Sequence, residues 1–524
     1  MCNSTTILLL LAIPAVGSLL VSLIPGKESI VSRIVSMVAM LAVLGISAGI
    51  FSQFGGPGID PAALDLNIPW ISSLGVNFHL AVDGLNVYLM LLTSILFPVV
   101  LLATWKSRPA SRTLYPALLL LLEASLLGTF LCQNMVLFYV FWEVVLIPMF
   151  ILILVFGGEK KGKAAMSFFL YTMVGSVLLL AAIILLGVES LHQTGNWSFE
   201  FATLYNLHLT WNTELFVFLA VVLACAIKCP LFPFHSWLPL AYYEAPPAGT
   251  ALMAGALSKM GAFGLLKLAI PLCPNVSQAA APYMILMAVI SILYGAVLAL
   301  RQENFKKLVA YSSLSHMGYI VLGIFSFQEA AVHGALFQIL SHGVAAAGLF
   351  LLLGLLEERL GDSYKQLTAL STYAPRLAVL LMLLILTSVG LPLTSGFTGE
   401  FMILFGGFQQ GMTSLMASAG SLTLVSVLLA CTGMVLGAAY MLRFGRVILY
   451  GHTKDGVSVS DLSIREGLAF IPILVMIVWV GIFPSSIMGK VQGSVTRMTN
   501  HAAAPATPAA APITTPAIGG ANGH

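Results

Sequence analysis

Residues 225–239 read CAIKCPLFPFHSWLP. An apolar run stops at Lys228, and Pro230, Pro233 and His235 follow within a few residues. Proline withdraws a backbone donor and breaks a helix, and in lipid such a break survives only where a cavity, water or another helix satisfies the freed groups. The stretch therefore reads as a membrane-spanning helix broken in its course. Its lysine sits at the C-terminal end of the first half, where the helix dipole favours a cation.

The rest of the chain supports a membrane setting. Of its 524 residues 59% are hydrophobic and 8% charged, against roughly 25% charged in ordinary soluble domains. Apolar runs fall at about 5–24, 32–52, 84–105, 114–132, 135–156, 164–187, 213–230, 248–270, 281–300, 307–325, 329–356, 376–404, 417–442 and 467–489. Each is long enough for a helix to cross a hydrocarbon core of about 30 Å. The short alternating segments of a barrel are absent. A net charge of +3 without a basic stripe suggests no nucleic-acid partner. The six cysteines, Cys2, Cys132, Cys225, Cys229, Cys273 and Cys431, show no CxxC pairing and read as small buried hydrophobes, with no metal, haem or iron–sulfur site implied. The first run lacks a positive flank and reads as an uncleaved span.

Basic residues test this count, because Lys and Arg gather in cytoplasmic loops. Lys27 and Arg33; Lys106, Arg108 and Arg112; Lys160, Lys161 and Lys163; Arg301, Lys306 and Lys307; Arg359, Lys365 and Arg376; and Arg443, Arg446, Lys454 and Arg465 occupy every second loop. The alternate loops between spans hold none and are mildly acidic, with Asp60, Asp65, Glu189 and Glu200. About fourteen spans, with both termini on the outer side, are expected. Lys490 and Arg497 lie past the last span, which leaves Lys228, Lys259 and Lys267 inside apolar runs.

A charge at the centre of a spanning helix costs at least ~2.5–3.5 kcal/mol, so such residues face cavities or partners. Lys259 in ALSKMGAFGLL, Glu143 in LFYVFWEVVLIPMF and Glu400 in SVGLPLTSGFTGEF are too deep to reach headgroups. His342 shares a helix face with Gln338, and His316 lies in AYSSLSHMGY with Ser312 and Ser313 a turn before it. Lys267 is expected to snorkel from a helix end, His333 to be a surface or packing histidine, and Glu123 to be a packing contact or an additional proton-path group beside His235. A second broken span, around Pro392 and Gly396, comes five spans after the one at Pro230. That separation predicts two inverted five-helix repeats, spans 4–8 and 9–13, and such repeats with broken helices mark ion pathways. The expected division is 1–113 (spans 1–3), 114–270 (first repeat), 271–445 (inverted repeat), 446–499 (last span) and 500–524, an Ala/Pro-rich tail expected to be disordered.

From about residue 80 to 450 the chain resembles the antiporter-like subunit M (chain 4) family of respiratory complex I, the proton-pumping NADH:quinone oxidoreductase. The motifs are VDGLNVYLMLLT, FYVFWEVVLIPMF, KCPLFPFHSWLP, EAPPAGT, LSKMGAFGLL, NFKKLVAYSSLSHMGY and GFTGEF. The resemblance implies an all-α membrane fold of about fourteen helices. It also implies a relay in which Glu143 pairs with Lys228, Lys259 is the central lysine, His316 and His342 follow, and Glu400 is the exit group. A glutamate there, and the short C-terminal region, fit subunit M over its two sisters. The pattern WLPDAHxEAP becomes WLPLAYYEAP here, with Leu240 for the acid and Tyr242 for the histidine, and Ser258 replaces a usual leucine before Lys259. The family's route of proton uptake on that side is not carried over.

By the same resemblance the chain is expected to be a non-redox subunit. FMN, iron–sulfur clusters and quinone would belong to partner subunits, sister subunits L and N would lie beside it, and the site would be a bacterial inner membrane with both termini periplasmic. The alternatives are a subunit of a multi-chain sodium/proton antiporter or of a membrane-bound hydrogenase or formate-linked complex. A purely structural subunit would leave buried Lys259 and Glu400 unexplained.

Overall fold

With no water in the hydrocarbon layer, each apolar run must satisfy its backbone internally, and the chain does so as helices. The computed structural model describes residues 4–25, 30–55, 64–107, 112–361, 368–418, 420–450 and 459–503. The spans are α1 (Ser4–Ser22), α2 (Ile30–Gln53), α3 (Val87–Ala103), α4 (Leu114–Leu131), α5 (Met135–Phe156), α6 (Lys161–Thr194) and α7 (Trp211–Lys228), which continues past its break as α8 (Leu238–Glu244). The series goes on with α9 (Pro247–Leu272), α10 (Pro274–Arg301), α11 (Phe305–Phe325), α12 (Glu329–Leu360), α13 (Pro375–Val389), α14 (Ser395–Met416), α15 (Leu422–Tyr450) and α16 (Ile464–Ile482). Among the described residues 12 helices are long and apolar enough to cross a membrane. Two shorter apolar helices, α3 and α13, stand where the third and twelfth spans were read.

Both breaks fall where the prolines put them, and their freed groups find partners. After α7 the Leu231 amide donates to the Ala226 carbonyl (2.8 Å), and the Trp237 indole donates to that of Ile227 (3.1 Å). The Phe232 amide donates to Ser291 Oγ at 3.0 Å. Between α13 and α14 the chain turns at Gly390, whose φ of 78° favours glycine, and the Leu391 amide returns to the Leu386 carbonyl at 3.0 Å.

The central stretches of α9 and α12 lie inside the bundle. They cross at glycines: a Cβ on Gly343 would stand 2.7 Å from the Gly255 carbonyl oxygen and 2.8 Å from Leu92. α12 meets α14 as closely, since a Cβ on Gly399 would lie 2.9 Å from the Gln338 amide nitrogen. Small residues let membrane helices approach to backbone contact. α9 is also distorted by two π turns, Met253–Leu257 and Leu265–Ala269. Such widened turns recur at functional sites.

The fold adds elements that the pattern of apolar runs did not announce. Between α2 and α3 lies an antiparallel hairpin, β1 (Asp65–Ile71) and β2 (Val76–Ala81). The last span, expected over 467–489, ends at Ile482, and Ser485–Ala503 forms a separate amphipathic helix, α17. Its buried stripe is Ile487, Val491, Val495 and Met498, while Lys490 Nζ donates to the Phe54 carbonyl at 2.6 Å. Residues 504–524, most of the expected disordered tail, lie outside the described residues, as does Cys2. Cys132, Cys225, Cys229 and Cys273 are buried as expected, whereas Cys431 is exposed on the outer face of α15.

The hairpin is fastened by charge. His79 on β2 holds Glu200 with Nδ1 (2.5 Å) and Asp65 with Nε2 (2.9 Å), so both ring nitrogens meet carboxylates. Burial alone would lower the imidazole pKa, but the Glu200 and Asp65 carboxylates outweigh it and hold it above its ordinary value. A raised folded-state pKa contributes stability that is fully present below the unfolded value and is lost as pH rises through the folded one. Hydrogen exchange at 65–81, corrected for the intrinsic rate, should therefore show protection falling over that rise. His79→Gln should remove the pH dependence, and a pH-independent wild type would refute the fastening role. For the helix crossing, Gly343→Ala forces α9 and α12 apart and should cost about 1–3 kcal/mol. An unchanged melting temperature of the purified protein would show that the crossing can loosen freely.

Candidate functional site: a buried polar line

Lys259 is fully buried on α9, between the two π turns. Its ammonium donates to the Ala254 carbonyl (2.6 Å), to Ser258 Oγ (3.1 Å) and to His342 Nδ1 (2.7 Å). Those three bonds use all three ammonium donors. His342 comes from α12, next to the Gly343 crossing, so the glycine contact sets the lysine–histidine distance.

The line continues across α12. The rings of His342 and His316 lie 5.3 Å apart, tilted by 35°, and each presents a buried Nε2 without a hydrogen-bond partner. On its other side His316 Nδ1 contacts Glu400 Oε1 at 2.9 Å. Gln338 Nε2 donates to the same oxygen at 3.0 Å. Glu400 Oε2 lies against Gly390, at the break between α13 and α14. Ser341 and Ser395 hydroxyls pair at 2.8 Å across the same junction.

Lys228 is nearly fully buried at the end of α7. Its ammonium donates to the Trp142 carbonyl at 3.0 Å and stands 4.3 Å from the centre of the Trp142 ring. The face of an indole attracts a cation. Glu143 is the next residue, yet no ion pair joins it to Lys228 among the described residues, and Glu143 Oε1 is buried without a hydrogen bond. α7 and α9 touch closely just beyond, where a Cβ on Gly261 would meet the Cys225 carbonyl at 2.6 Å.

Of the residues singled out in the sequence, Lys259, His342, His316 and Glu400 stand together, with Lys228 and Glu143 on the neighbouring helices. Glu123 and His235 make no hydrogen bond or ion pair with that line. Both carboxyl oxygens of Glu123 are buried without partners on α4. His235 is packed between the rings of Phe232 and Tyr294 at 5.9 and 5.1 Å. Lys267 does not snorkel: it bonds Asp83 at 2.6 Å and Gln133 at 3.0 Å, because the VDG turn before α3 brings a carboxylate to it. His333 is buried and its Nδ1 meets the Glu329 carbonyl. Gln338 serves Glu400 and His316 rather than His342. Ser312 pairs with the Tyr440 hydroxyl rather than with His316.

Two contributors were missed in the sequence, and a third, Ser258, was noted there only as a substitution beside Lys259. Trp142 gives a carbonyl and a ring face, Ala254 a carbonyl beside a π turn, and Ser258 a hydroxyl. Only Ser258 left a trace, as a polar residue in an apolar run.

The fold that holds this line has counterparts among known proteins. Residues 132–426 match the transmembrane family described as NADH:quinone oxidoreductase/Mrp antiporter. NADH-quinone oxidoreductase subunit M of Rickettsia bellii is 38% identical over 433 residues, 82% of this chain and 84% of the relative. NADH-ubiquinone oxidoreductase chain 4 of Arabidopsis thaliana is 34% identical over 496 residues, 94% of this chain and 96% of the relative. Among solved structures, a chain of respiratory complex I from Thermus thermophilus superposes with a TM-score of 0.83 at 30% identity, covering 95% of this chain and 99% of that one. A chain of the Mrp complex from a Dietzia species shares the fold, with a TM-score of 0.77 at 21% identity over 95% of this chain and 54% of that one. The buried line thus sits in an antiporter-like scaffold, and the chain belongs to the NADH:quinone oxidoreductase/Mrp antiporter transmembrane family.

Proposed function

We propose that the chain is a proton-translocating membrane-arm subunit of an NADH:quinone oxidoreductase. The observation that carries this reading is the buried sequence Lys259, His342, His316, Glu400, in which every neighbour is an ionisable group at hydrogen-bond or ring-contact distance. Polar groups of this kind are costly in a bilayer interior, and a chain of them marks an ion path. The likeness to subunit M of Rickettsia bellii and to chain 4 of Arabidopsis thaliana supports assigning it to protons and to complex I. The two inverted five-helix repeats belong to the same proposal.

In this reading the proton passes from Lys259 to His342 Nδ1, then between the histidines through their free Nε2 atoms, and from His316 Nδ1 to Glu400. The second Glu400 oxygen faces the α13–α14 break, the way out. Lys228 and Glu143 act as the trigger. Apart, as here, they leave Lys228 without a direct ion pair, its ammonium held by the Trp142 carbonyl and ring, and its charge opposes a proton on Lys259. Closed into a pair, they relieve that repulsion and let Lys259 reload.

Moving one charge against the membrane potential takes about 2.3 kcal/mol per 100 mV. We assign that work to quinone reduction in partner subunits that carry FMN, iron–sulfur clusters and quinone, and assign no redox step to this chain. Sister subunits of the L and N type are the proposed neighbours. The proposed setting is a bacterial inner membrane with both termini on the periplasmic side.

The purified complex, reconstituted in vesicles, tests this directly. Lys259→Ala should lower the number of protons moved per electron while the variant chain still copurifies with its partners. A wild-type ratio would overturn the reading.

A further inference from the structure

Gln338 is buried on α12, one turn before His342, and its amide closes a triangle with the last two groups of the line. Glu400 Oε1 lies 2.9 Å from His316 Nδ1 and 3.0 Å from Gln338 Nε2, and the two nitrogens stand 3.3 Å apart. Only the nitrogen end of a carboxamide can donate to a carboxylate oxygen, so Glu400 fixes which way the amide points. The carbonyl end finds nothing comparable: Gln338 Oε1 is buried without a hydrogen bond. A Cβ on Gly399 would come within 2.7 Å of that oxygen, so the glycine leaves the amide its room.

Packing alone does not account for that amide, because an alkyl chain of the same length would fill the space without burying an unpaired carbonyl. What the amide adds is a preference about hydrogens. An N–H donates to a lone pair and is repelled by an O–H hydrogen, so a neutral Glu400 beside Gln338 keeps its hydrogen on the oxygen away from the amide. That far oxygen lies at the break, where a Cβ on Gly390 would stand 3.4 Å from it. The same amide has His316 Nδ1 within reach at 3.3 Å, and can bond there only once that nitrogen has lost its proton.

We infer that Gln338 is a positioning residue that makes the step from His316 to Glu400 one-way. The inference rests on the proton-carrier reading of the line. His316 receives a proton on Nε2 and gives one from Nδ1: the Nδ1–H bond breaks as an O–H bond forms at Glu400 Oε1. The carboxyl group then turns about its Cγ–Cδ bond, which carries the new O–H to the Gly390 side and returns the other, bare oxygen to Gln338. The amide now shares its hydrogens between that oxygen and the emptied His316 Nδ1, so the proton has no free acceptor behind it. It leaves from the Gly390 side, and Glu400 is a carboxylate again. His316 keeps one ring hydrogen throughout, which returns from Nε2 to Nδ1 before the next transfer.

The test uses the whole complex in vesicles, with Gln338→Met, Gln338→Leu and Lys259→Ala prepared alongside wild type and each confirmed by copurification of its partners. Protons moved per electron are measured at the onset of turnover and again against imposed proton gradients of increasing size. In both Gln338 variants the loss should deepen as the gradient grows, and the return of protons through the resting complex should rise roughly tenfold, the factor that one hydrogen bond to a charged group is worth. A loss that is the same fraction at every gradient, or no loss, with a wild-type return rate would overturn the one-way role. If Lys259→Ala still lowers the ratio, the proton-carrier reading stands; if Lys259→Ala has no effect, both fall. Should neither Gln338 variant assemble, the infrared band of neutral Glu400, assigned by its absence in Glu400→Gln, decides. Its C=O stretch should be lowered by the amide hydrogen bond, and the frequency of a free carboxyl group would overturn the role.

Discussion

An ammonium ion deep in a bilayer protein must have every donor met, and Lys259 meets this with three bonds to Ala254, Ser258 and His342. Much of the architecture answers to that requirement. A π turn lies just ahead of the lysine in α9, and Ala254 within it presents its carbonyl. The glycine crossing with α12 brings a histidine nitrogen within bonding distance. The lysine is thus held by one backbone oxygen, one hydroxyl and one imidazole nitrogen.

The opposite end of the line is built by different means. Glu400 is fixed at one oxygen by His316 and Gln338, which leaves the other facing the Gly390 turn. A carboxylate held at one oxygen and free at the other can accept on one side and release on the other. The broken helix supplies that asymmetry, since a continuous helix would have filled the space with its own backbone. Lys228 sits at the other break, with its charge on the Trp142 carbonyl and ring instead of on Glu143. The carboxylate at one break is thus held by side chains, and the ammonium at the other by a backbone carbonyl and a ring face. At the end of the bundle that carries the hairpin, Lys267 with Asp83 and His79 with Asp65 and Glu200 are closed pairs that fasten helices and hairpin.

Much of this was legible in the sequence, for identifiable reasons. Spans, breaks and the exceptional lysines follow from hydropathy, proline and the distribution of Lys and Arg, which act locally and leave local traces. Pairings do not. That Lys267 meets Asp83, 184 residues away, depends on a turn whose position no periodicity encodes. The partner of Lys228 was read as Glu143, whereas the ammonium goes to the adjacent residue's carbonyl, a backbone group present at every position and so invisible as a signal. The hairpin stayed hidden because its strands are short and one is largely exposed, without the clean alternation of a half-buried sheet. The π turns in α9 have no compositional mark.

The proposed line would make its members interdependent, and a double-mutant cycle reads that interdependence. The decisive measurement is protons moved per electron for His342→Ala, Glu400→Gln and the two combined, in the reconstituted complex. Groups acting in series predict that the combined variant loses no more than the worse of the two singles. Independent losses that multiply in the double variant would mean that His342 and Glu400 serve separate paths, and the continuous line would be contradicted.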